Sequence, residues 1–374
     1  MRGSRKIRLA AVILALVLTA AACGDSSGGS STNTTDGDAG DTTTEVQAGQ
    51  APGGALLATV QDRGTLNCGV NETVPGFGIV DESGDFSGFD IDYCRAIAAA
   101  VIGDANAVDF TPLTSGQRFT ALQSGEIDVL IRNTTWTASR DGTEGATFLH
   151  TTFFDGQGMM VKSDSTFQTV EDMDGASICV LSGTTTELNL ADIFSSRGMS
   201  FEGATYESND ELRPAFIADQ CDGWTTDKSQ LASFRAANPE DAGGPDAWRI
   251  MDETFSKEPL GPVVRDGDSQ WAQVVDWVVL ATINAEEFGI NQGNVGTFAD
   301  TENPSIRTFL GLAGSDGSVA DLGLGIDSDA NARIIEQVGN YADIYDRNLT
   351  PLGLARGVNS LWTDGGLLYG PPFR

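Results

Sequence analysis

Thr65-Leu66-Asn67-Cys68-Gly69-Val70 is followed by Gly88-Phe89-Asp90-Ile91-Asp92, which leads into an Ala-rich stretch that ends near residue 101. The first run is typical of a buried strand, and residues 93–101 are predicted to form a helix. A second apolar run at residues 108–113 predicts the next strand. Strands that alternate with helices in this way indicate a parallel sheet with helices on both faces.

The same alternation continues along the chain. Residues 118–124 predict a short helix and residues 127–132 another buried strand. Further on, the predicted strands lie at residues 177–181, around residues 221–224 and at residues 259–264, and the predicted helices at residues 187–194, 228–236 and 271–287. This order predicts two α/β lobes, with the second inserted into the first and crossings near residues 154–160 and 259–264. Ligands of such sheets bind beyond the carboxyl ends of the strands, hence in the cleft between the lobes.

The N-terminal segment has the layout of an export signal. Basic residues precede an uncharged apolar stretch that is too short to span a bilayer, and small residues lead directly to Cys23. Residues 1–22 are therefore predicted to be a lipoprotein signal peptide, with Cys23 as the lipidated first residue; ordinary cleavage beside a free thiol is the alternative. Residues 23–52 are rich in Ser, Thr, Gly and Asp and predict a flexible tether, or else a glycosylated stalk.

Charge and histidine content restrict the function. The chain has 53 acidic and 22 basic residues, which argues against a nucleic-acid partner because phosphate contacts need clustered Lys and Arg. His150 is the single histidine, and its surroundings are typical of a strand. Catalytic triads and most zinc hydrolysis would have to use this residue, so we predict neither a catalytic residue nor a cofactor, and interpret His150 as structural.

The remaining cysteines are Cys68, Cys94, Cys179 and Cys221. Export would place them in an oxidising compartment, where three pairings are possible. We favour Cys68 with Cys94 and Cys179 with Cys221, because each pair lies within one predicted lobe. A zinc site is the less favoured alternative, because no CxxC spacing is present.

Several segments together resemble the family-3 solute-binding proteins for polar amino acids, in the general L-amino-acid-binding branch. The segments are residues 88–92 (GFDID), 122–130 (LQSGEIDVL), 132–137 (RNTTWT) with Arg140, 182–192 (SGTTTELNLAD), 221–227 (CDGWTTD), 356–362 (RGVNSLW) and 370–374 (GPPFR). Their order and spacing carry the resemblance, which covers essentially everything after the tether.

The resemblance implies a periplasmic-binding-protein-like fold of type II, with residues 53–157 and 261–374 in the first lobe and residues 158–260 in the second. It also implies an extracytoplasmic monomer that closes around a free L-amino acid and delivers it to an ABC permease. The predicted lipidation of Cys23 would anchor this protein to the membrane. An amino-acid sensor and a dehydratase-like enzyme on the same scaffold are the alternatives.

A general amino-acid receptor should hold the α-carboxylate and the α-ammonium group and leave the side chain room. Arg140 is the candidate for the carboxylate, because a guanidinium binds a carboxylate bidentately. The turn at Gly183, Thr184 and Thr185 opens a predicted helix, whose N-terminal N–H groups and dipole favour an anion. A surface arginine and a plain N-cap are the structural alternatives.

Asp227 is the candidate for the α-ammonium, with an N-cap for the helix beginning near residue 228 as its alternative. By resemblance, the backbone of Asn133 and the hydroxyl of Thr135 contribute from the first lobe. Phe77 is expected either to face the aliphatic part of the ligand or to pack in the core. Arg118 is expected either near the cleft or on the surface.

Overall fold

The computed structural model describes residues 55–314 and 316–374. The predicted signal peptide (1–22), the tether (23–52) and Cys23 lie outside these residues. Among the described residues, no helix is both long enough and apolar enough to cross a membrane.

The strands are β1 (Leu66–Val70), β2 (Thr73–Val74), β3 (Gly78–Val80), β4 (Phe86–Ser87), β5 (Val108–Pro112), β6 (Val129–Leu130), β7 (Ala146–Phe148), β8 (Phe153–Asp155), β9 (Gln157–Lys162), β10 (Ser177–Leu181), β11 (Glu202–Tyr206), β12 (Gly223–Asp227), β13 (Trp248–Ile250), β14 (Glu258–Leu260) and β15 (Val263–Arg265). The helices are α1 (Ala55–Arg63), α2 (Phe89–Val101), α3 (Arg118–Ser124), α4 (Ala138–Thr143), α5 (Thr185–Ser196), α6 (Asn209–Ile217), α7 (Lys228–Ala236), α8 (Ser269–Glu287), α9 (Pro304–Phe309), α10 (Ala330–Gln337) and α11 (Tyr341–Asn348).

Two sheets form the two lobes. The first sheet has the strand order β5-β1-β6-β15-β7, and the second has the order β11-β10-β12-β9-β13. We call each sheet with the helices packed on it the first and the second lobe. The two-lobed α/β fold predicted from the sequence is confirmed. Both sheets are mixed rather than purely parallel, because β15 pairs antiparallel with β6 and β7, and β9 pairs antiparallel with β12 and β13.

A two-stranded ribbon joins the lobes. Strands β8 and β14 pair antiparallel, with Phe153 opposite Leu260 and Asp155 opposite Glu258. The chain leaves the first sheet through β8 and enters β9 of the second sheet, and it returns through β14 to β15. We call β8 and β14 the hinge strands.

The core of the first lobe is built around α2. All its residues except Arg95 are buried, which requires cover on every side. The C-terminal helices α8, α10 and α11 all contact α2 and provide this cover. The indole N–H of Trp271 in α8 donates to the carbonyl oxygen of Asp128 at 2.9 Å and anchors that helix to the sheet. Residues 288–342, whose structure the sequence did not predict, therefore include helix α10, which packs on α2.

Both favoured disulfides are present. Cys68 in β1 is bonded to Cys94 in α2, and Cys179 in β10 is bonded to Cys221, two residues before β12. Each bond thus ties a central strand to a neighbouring segment of the same lobe.

Candidate functional site

A cavity lies between the lobes and is lined by residues of both. Nearly every segment that lines it follows the carboxyl end of a strand, on both sheets, which is where ligands of open α/β sheets bind. The lining residues are Asn71, Ser115, Arg118, Arg132, Asn133, Thr135, Arg140, Leu181, Thr184, Thr185, Thr186, Asn209, Thr226, Asp227 and Gln230.

Arg140 faces this cavity from the first lobe. It lies in α4, where the hydroxyl of Thr137 caps the helix by accepting from the Arg140 backbone N–H at 3.2 Å. Its Nη1 donates to the carbonyl oxygen of Thr135 at 3.0 Å, which fixes the guanidinium group. Burial lowers the pKa of Arg140, and Glu258 and Asp227 oppose that shift. Arg140 can therefore offer a fixed cation to an anionic ligand.

The N-terminus of α5 faces the cavity from the second lobe. Thr184 is its N-cap and accepts from the Glu187 N–H at 3.1 Å, while the Glu187 carboxylate accepts from the Gly183 N–H at 2.9 Å. Gly183 has a φ of 68°, a left-handed conformation that glycine adopts without steric cost. Thr184 and Thr185 line the cavity, whereas Gly183 lies just outside it. The first N–H groups of a helix have no acceptor within the helix, so this turn can bind an anion.

Glu258 holds this turn in place from the hinge. It is buried in β14, and its carboxylate accepts from the Thr185 hydroxyl at 2.9 Å and from the Asn189 amide at 3.0 Å. The sequence did not identify Glu258, because only the fold brings the hinge strand against α5.

Asp227 is a buried carboxyl group at the cavity wall. It occupies the N-cap position of α7, but its side chain makes no capping hydrogen bond and accepts from Gln230 Nε2 at 2.8 Å instead. Burial raises the pKa of Asp227 well above its ordinary value, and Asp155 and Glu258 add to the shift. A cation in the cavity would stabilise the charged carboxylate and lower this pKa again, which makes Asp227 a suitable partner for an ammonium group.

Asn133 and Thr135 approach the cavity from the segment after β6. The backbone N–H of Asn133 donates to Asp90 at 2.9 Å, and its Oδ1 accepts from Asn71 at 2.6 Å. Asn133 thus presents its side-chain N–H group to the cavity, and not the backbone N–H. The hydroxyl groups of Thr135 and Thr185 lie 3.4 Å apart and connect the two lobes.

Phe77 does not reach the cavity. Its ring is fully buried in the first lobe, with its centroid 5.3 Å from that of Phe153 and 6.1 Å from that of Phe89. This is the core-packing role that the sequence left as the alternative.

Two further arginines line the cavity. Arg118 is buried, and its Nη2 donates to the Gly183 carbonyl oxygen at 3.3 Å. Arg132 is also buried, and its Nε donates to the Leu113 carbonyl oxygen at 2.6 Å. Burial lowers the pKa of Arg132 to about 10 and that of Arg118 well below its ordinary value. Arg132 stands at the end of a predicted buried strand, and arginine is rarely buried without a partner. Its position in the sequence could therefore have identified it as a candidate site residue.

Comparison with known proteins is consistent with this geometry. Residues 66–289 match the family model of the bacterial extracellular solute-binding proteins, family 3. Over 327 residues, the chain is 47% identical to the general L-amino acid-binding periplasmic protein AapJ of Rhizobium johnstonii, covering 87% of this chain and 94% of that protein. Over 328 residues, it is 45% identical to the glutamate/glutamine/aspartate/asparagine-binding protein BztA of Rhodobacter capsulatus, covering 87% of this chain and 95% of that protein.

A solved structure is similar throughout its length. It is an ABC transporter periplasmic binding protein from Brucella ovis with glutathione bound, and it superposes with a TM-score of 0.80 at 46% sequence identity. The match covers 85% of this chain and 99% of that one.

Proposed function

Because the chain belongs to family 3 of the bacterial extracellular solute-binding proteins, we propose that it is the solute-binding component of an ABC amino-acid importer. In this role it binds free L-amino acids between its lobes and delivers them to a membrane permease. The relatives' names, which refer to general and to polar amino-acid binding, support a ligand of this class.

The main support for the proposal is that donors for an anion and an acceptor for a cation line the same cavity. Arg140 and the N-terminus of α5 supply donors for an α-carboxylate, and the Asp227 carboxyl group supplies an acceptor for an α-ammonium. Every free L-amino acid carries these two groups on one carbon atom. A clamp of this kind tolerates different side chains.

Ligand binding would close the lobes. Arg140 belongs to the first lobe, and Thr184, Thr185 and Asp227 belong to the second. A ligand held from both lobes binds the closed state more tightly than the open state and shifts the population toward it. The permease would then recognise the closed shape.

Isothermal titration calorimetry of the purified protein against a panel of free L-amino acids tests the proposal. We expect stoichiometric binding of several amino acids, and its loss in Arg140→Ala. The matched control is Arg265→Ala, which removes an exposed arginine from β15 of the same lobe. Absence of binding across the panel would refute the amino-acid assignment.

We propose no catalytic step at this site. A carboxyl group with a raised pKa, such as Asp227, can act as a general acid or as the partner of an ammonium group. An experiment must therefore distinguish catalysis from binding. Proton NMR of each bound amino acid after prolonged incubation should return the ligand unchanged. Conversion to a new product would support an enzyme on this scaffold.

The export and domain assignments are also proposals. We propose that residues 1–22 are removed, that Cys23 is lipidated, and that residues 23–52 tether a monomeric protein to the outer face of the cytoplasmic membrane. Residues 53–157 with 261–374, and residues 158–260, are the proposed lobes. Metabolic labelling with an alkyne fatty acid should label the wild-type protein and not Cys23→Ser, which should appear in the soluble fraction.

A further inference from the structure

The C-terminal segment carries much of the exposed apolar surface. Seven large hydrophobic side chains are exposed among the described residues, and four of them lie within residues 358–369. These four are Val358, Trp362, Leu367 and Tyr369, and each is at least 50% exposed. Scattered exposed apolar side chains are ordinary, whereas a contiguous group of them marks an interaction surface.

The four side chains form one surface, because the backbone brings them together. The Leu367 N–H donates to the Val358 carbonyl oxygen at 2.8 Å, and the Trp362 N–H donates to the Leu368 carbonyl oxygen at 2.9 Å. Leu368 is buried, so its neighbours Leu367 and Tyr369 point outward. The ring centroids of Trp362 and Tyr369 are 5.6 Å apart. We call the four exposed side chains the C-terminal apolar face.

The segment that carries this face is fixed to the folded domain. Leu361 is buried, and the ring centroid of Phe373 lies 4.7 Å from that of Trp277 in α8. Asn359 makes hydrogen bonds to both backbone polar groups of Phe154 in hinge strand β8. The face therefore keeps a defined position beside the strands that join the lobes, as a docking surface requires.

Acidic groups border the C-terminal apolar face. The indole N–H of Trp362 donates to the carboxylate of Glu287 at 3.2 Å, and Glu287 is exposed at the end of α8. Asp364 is also exposed and lies in the same helical turn as Trp362. A partner that covers Trp362 would therefore meet two carboxylates.

The basic residues of this segment do not neutralise these carboxylates. Residues 340–369 contain two basic side chains, Arg347 and Arg356. Arg347 Nη2 donates to Asp92 at 2.7 Å, and Arg356 Nη2 donates to both carboxylate oxygens of Glu286 at 3.0 and 3.1 Å. Both guanidinium groups are thus already paired within the protein, and the border of the face remains acidic.

This acidic border distinguishes between the possible occupants. A second copy of the chain would place the same carboxylates against each other in a two-fold interface, and the net charge of −31 also opposes self-association. An anionic lipid surface would be repelled in the same way. Residues 23–52 are polar and acidic, so they complement neither the face nor its border. A protein segment with apolar and basic side chains complements both.

We propose that the C-terminal apolar face is a docking surface for an extracytoplasmic segment of the permease that carries apolar and basic side chains. The inference rests on the proposed function and locates one contact with its partner. Residues 290–374 lie outside the stretch that matches the family model, so membership of the family does not by itself account for this surface.

Site-specific photo-crosslinking in cells of the source organism tests where the face docks. p-Benzoylphenylalanine replaces Tyr369 in the full-length protein, and in the control it replaces Val319, which is exposed outside the face. We expect position 369 to form an adduct with a transmembrane subunit of an ABC importer, in a peptide that contains Lys or Arg. Position 319 should form no such adduct. An adduct with a second copy or with lipid alone, or no adduct at position 369, would overturn the inference.

Amino-acid uptake by a strain that lacks the chromosomal copy measures the contribution of the face. Aromatic anchors of protein interfaces typically contribute about tenfold or more in affinity. We therefore expect the double variant Trp362→Ser and Tyr369→Ser to lower uptake about tenfold or more. Its calorimetric affinity for the amino acid should remain that of the wild-type protein, which also shows that the variant is folded. Val319→Ser is the control.

The charge-reversal variant Asp364→Lys tests the acidic border and leaves the apolar side chains in place. It should lower uptake severalfold without changing ligand affinity, because two basic groups would then face each other across the contact. Glu126→Lys is the matched control. Glu126 is exposed and lies two residues before Asp128, whose carbonyl oxygen binds Trp271 in the first turn of α8, so it is at the opposite end of that helix from Glu287.

Normal uptake in both test variants, with ligand binding intact, would overturn the inference and leave the proposed function standing. A loss of ligand affinity that equals the loss of uptake would also overturn it, because the face would then act through the fold of the protein. Failure of the wild-type protein to bind any amino acid would instead refute the proposed function.

Discussion

Arg118 Nη2 donates to the Gly183 carbonyl oxygen at 3.3 Å, although the two residues belong to different lobes and lie 65 positions apart in the sequence. The hydroxyl groups of Thr135 and Thr185 make a second contact between the lobes at 3.4 Å. These contacts place donors from both lobes around one cavity. The candidate site therefore depends on how the lobes are held together, as well as on the residues that line it.

The first prediction concerns Glu258, which holds the α5 turn from the hinge. Glu258→Gln weakens the hydrogen bonds to Thr185 and Asn189, because one carboxylate oxygen is replaced by a donor. We expect amino-acid affinity to fall roughly tenfold, the scale of one charge-assisted hydrogen bond. Titration calorimetry measures this change. Glu253→Gln is the control, since Glu253 contacts Arg197 on the protein surface. An equal effect in the two variants would contradict the assigned role.

The second prediction concerns protons taken up or released at Asp227. Burial raises the pKa of this carboxyl group in the ligand-free protein. The group therefore keeps its proton at pH values above 3.8, its ordinary pKa. A bound ammonium favours the carboxylate, so binding releases protons and amino-acid affinity increases as the pH rises from about 4 toward the raised pKa. Calorimetry in buffers of different ionisation enthalpy, between pH 5 and 8, measures the released protons.

Asp227→Asn is the test variant for this linkage. It should lose most of the affinity and all proton release from this site, because an amide neither titrates in this range nor neutralises an ammonium. Proton release that persists unchanged in Asp227→Asn would assign the linkage to another group.

The third prediction concerns the disulfides. The bonds span 26 residues for Cys68–Cys94 and 42 for Cys179–Cys221. Each bond restricts the unfolded chain by closing a loop and so lowers its entropy. Replacing either pair with alanine should therefore lower the free energy of unfolding by about 3 to 4 kcal/mol. Urea denaturation of each double variant measures the loss. A variant as stable as the wild-type protein would show that the bond contributes no net stability.

The fourth prediction concerns a contact between the C-terminal segment and the hinge. The Asn359 amide donates to the Phe154 carbonyl oxygen at 3.0 Å and accepts from the Phe154 N–H at 2.7 Å. Phe154 lies in β8, so Asn359→Ala leaves two polar groups of a hinge strand without this partner. We expect a loss of about 2 kcal/mol in the free energy of unfolding, measured by urea denaturation. Val358→Ala, at an exposed neighbouring position, should change it by less than about 0.5 kcal/mol.

Much of the fold was predictable because its signals are local. Predicted residues 177–181 coincide with β10, and predicted residues 228–236 coincide with α7. Helix α2 begins at Phe89 and not at the predicted residue 93, because polar Asp90 and Asp92 are accommodated inside the helix. The predicted helix at residues 271–287 lies within α8, whereas α10 and α11 were not predicted, since their packing against α2 depends on tertiary contacts.

Part of the candidate site was predictable from positions at strand and helix ends. Thr184, Thr185 and Asp227 occupy such positions, Arg140 lies in the short helix α4, and the structure brings all four to one cavity. Phe77 could not be assigned in advance, because an apolar ring in a loop suits either a cleft or a core. The orientations of Arg118 and Glu258 depend on how the lobes pack, which sequence periodicity does not specify.

In the proposed complex, one amino acid is held by its α-carboxylate and α-ammonium between the lobes. A crystal structure of the protein with bound L-glutamate shows where these two groups bind. We expect the α-carboxylate to contact Arg140 and the N-terminus of α5, and the α-ammonium to lie within hydrogen-bond distance of Asp227. A ligand bound with its ammonium group away from Asp227, or outside this cavity, would refute this mode of binding.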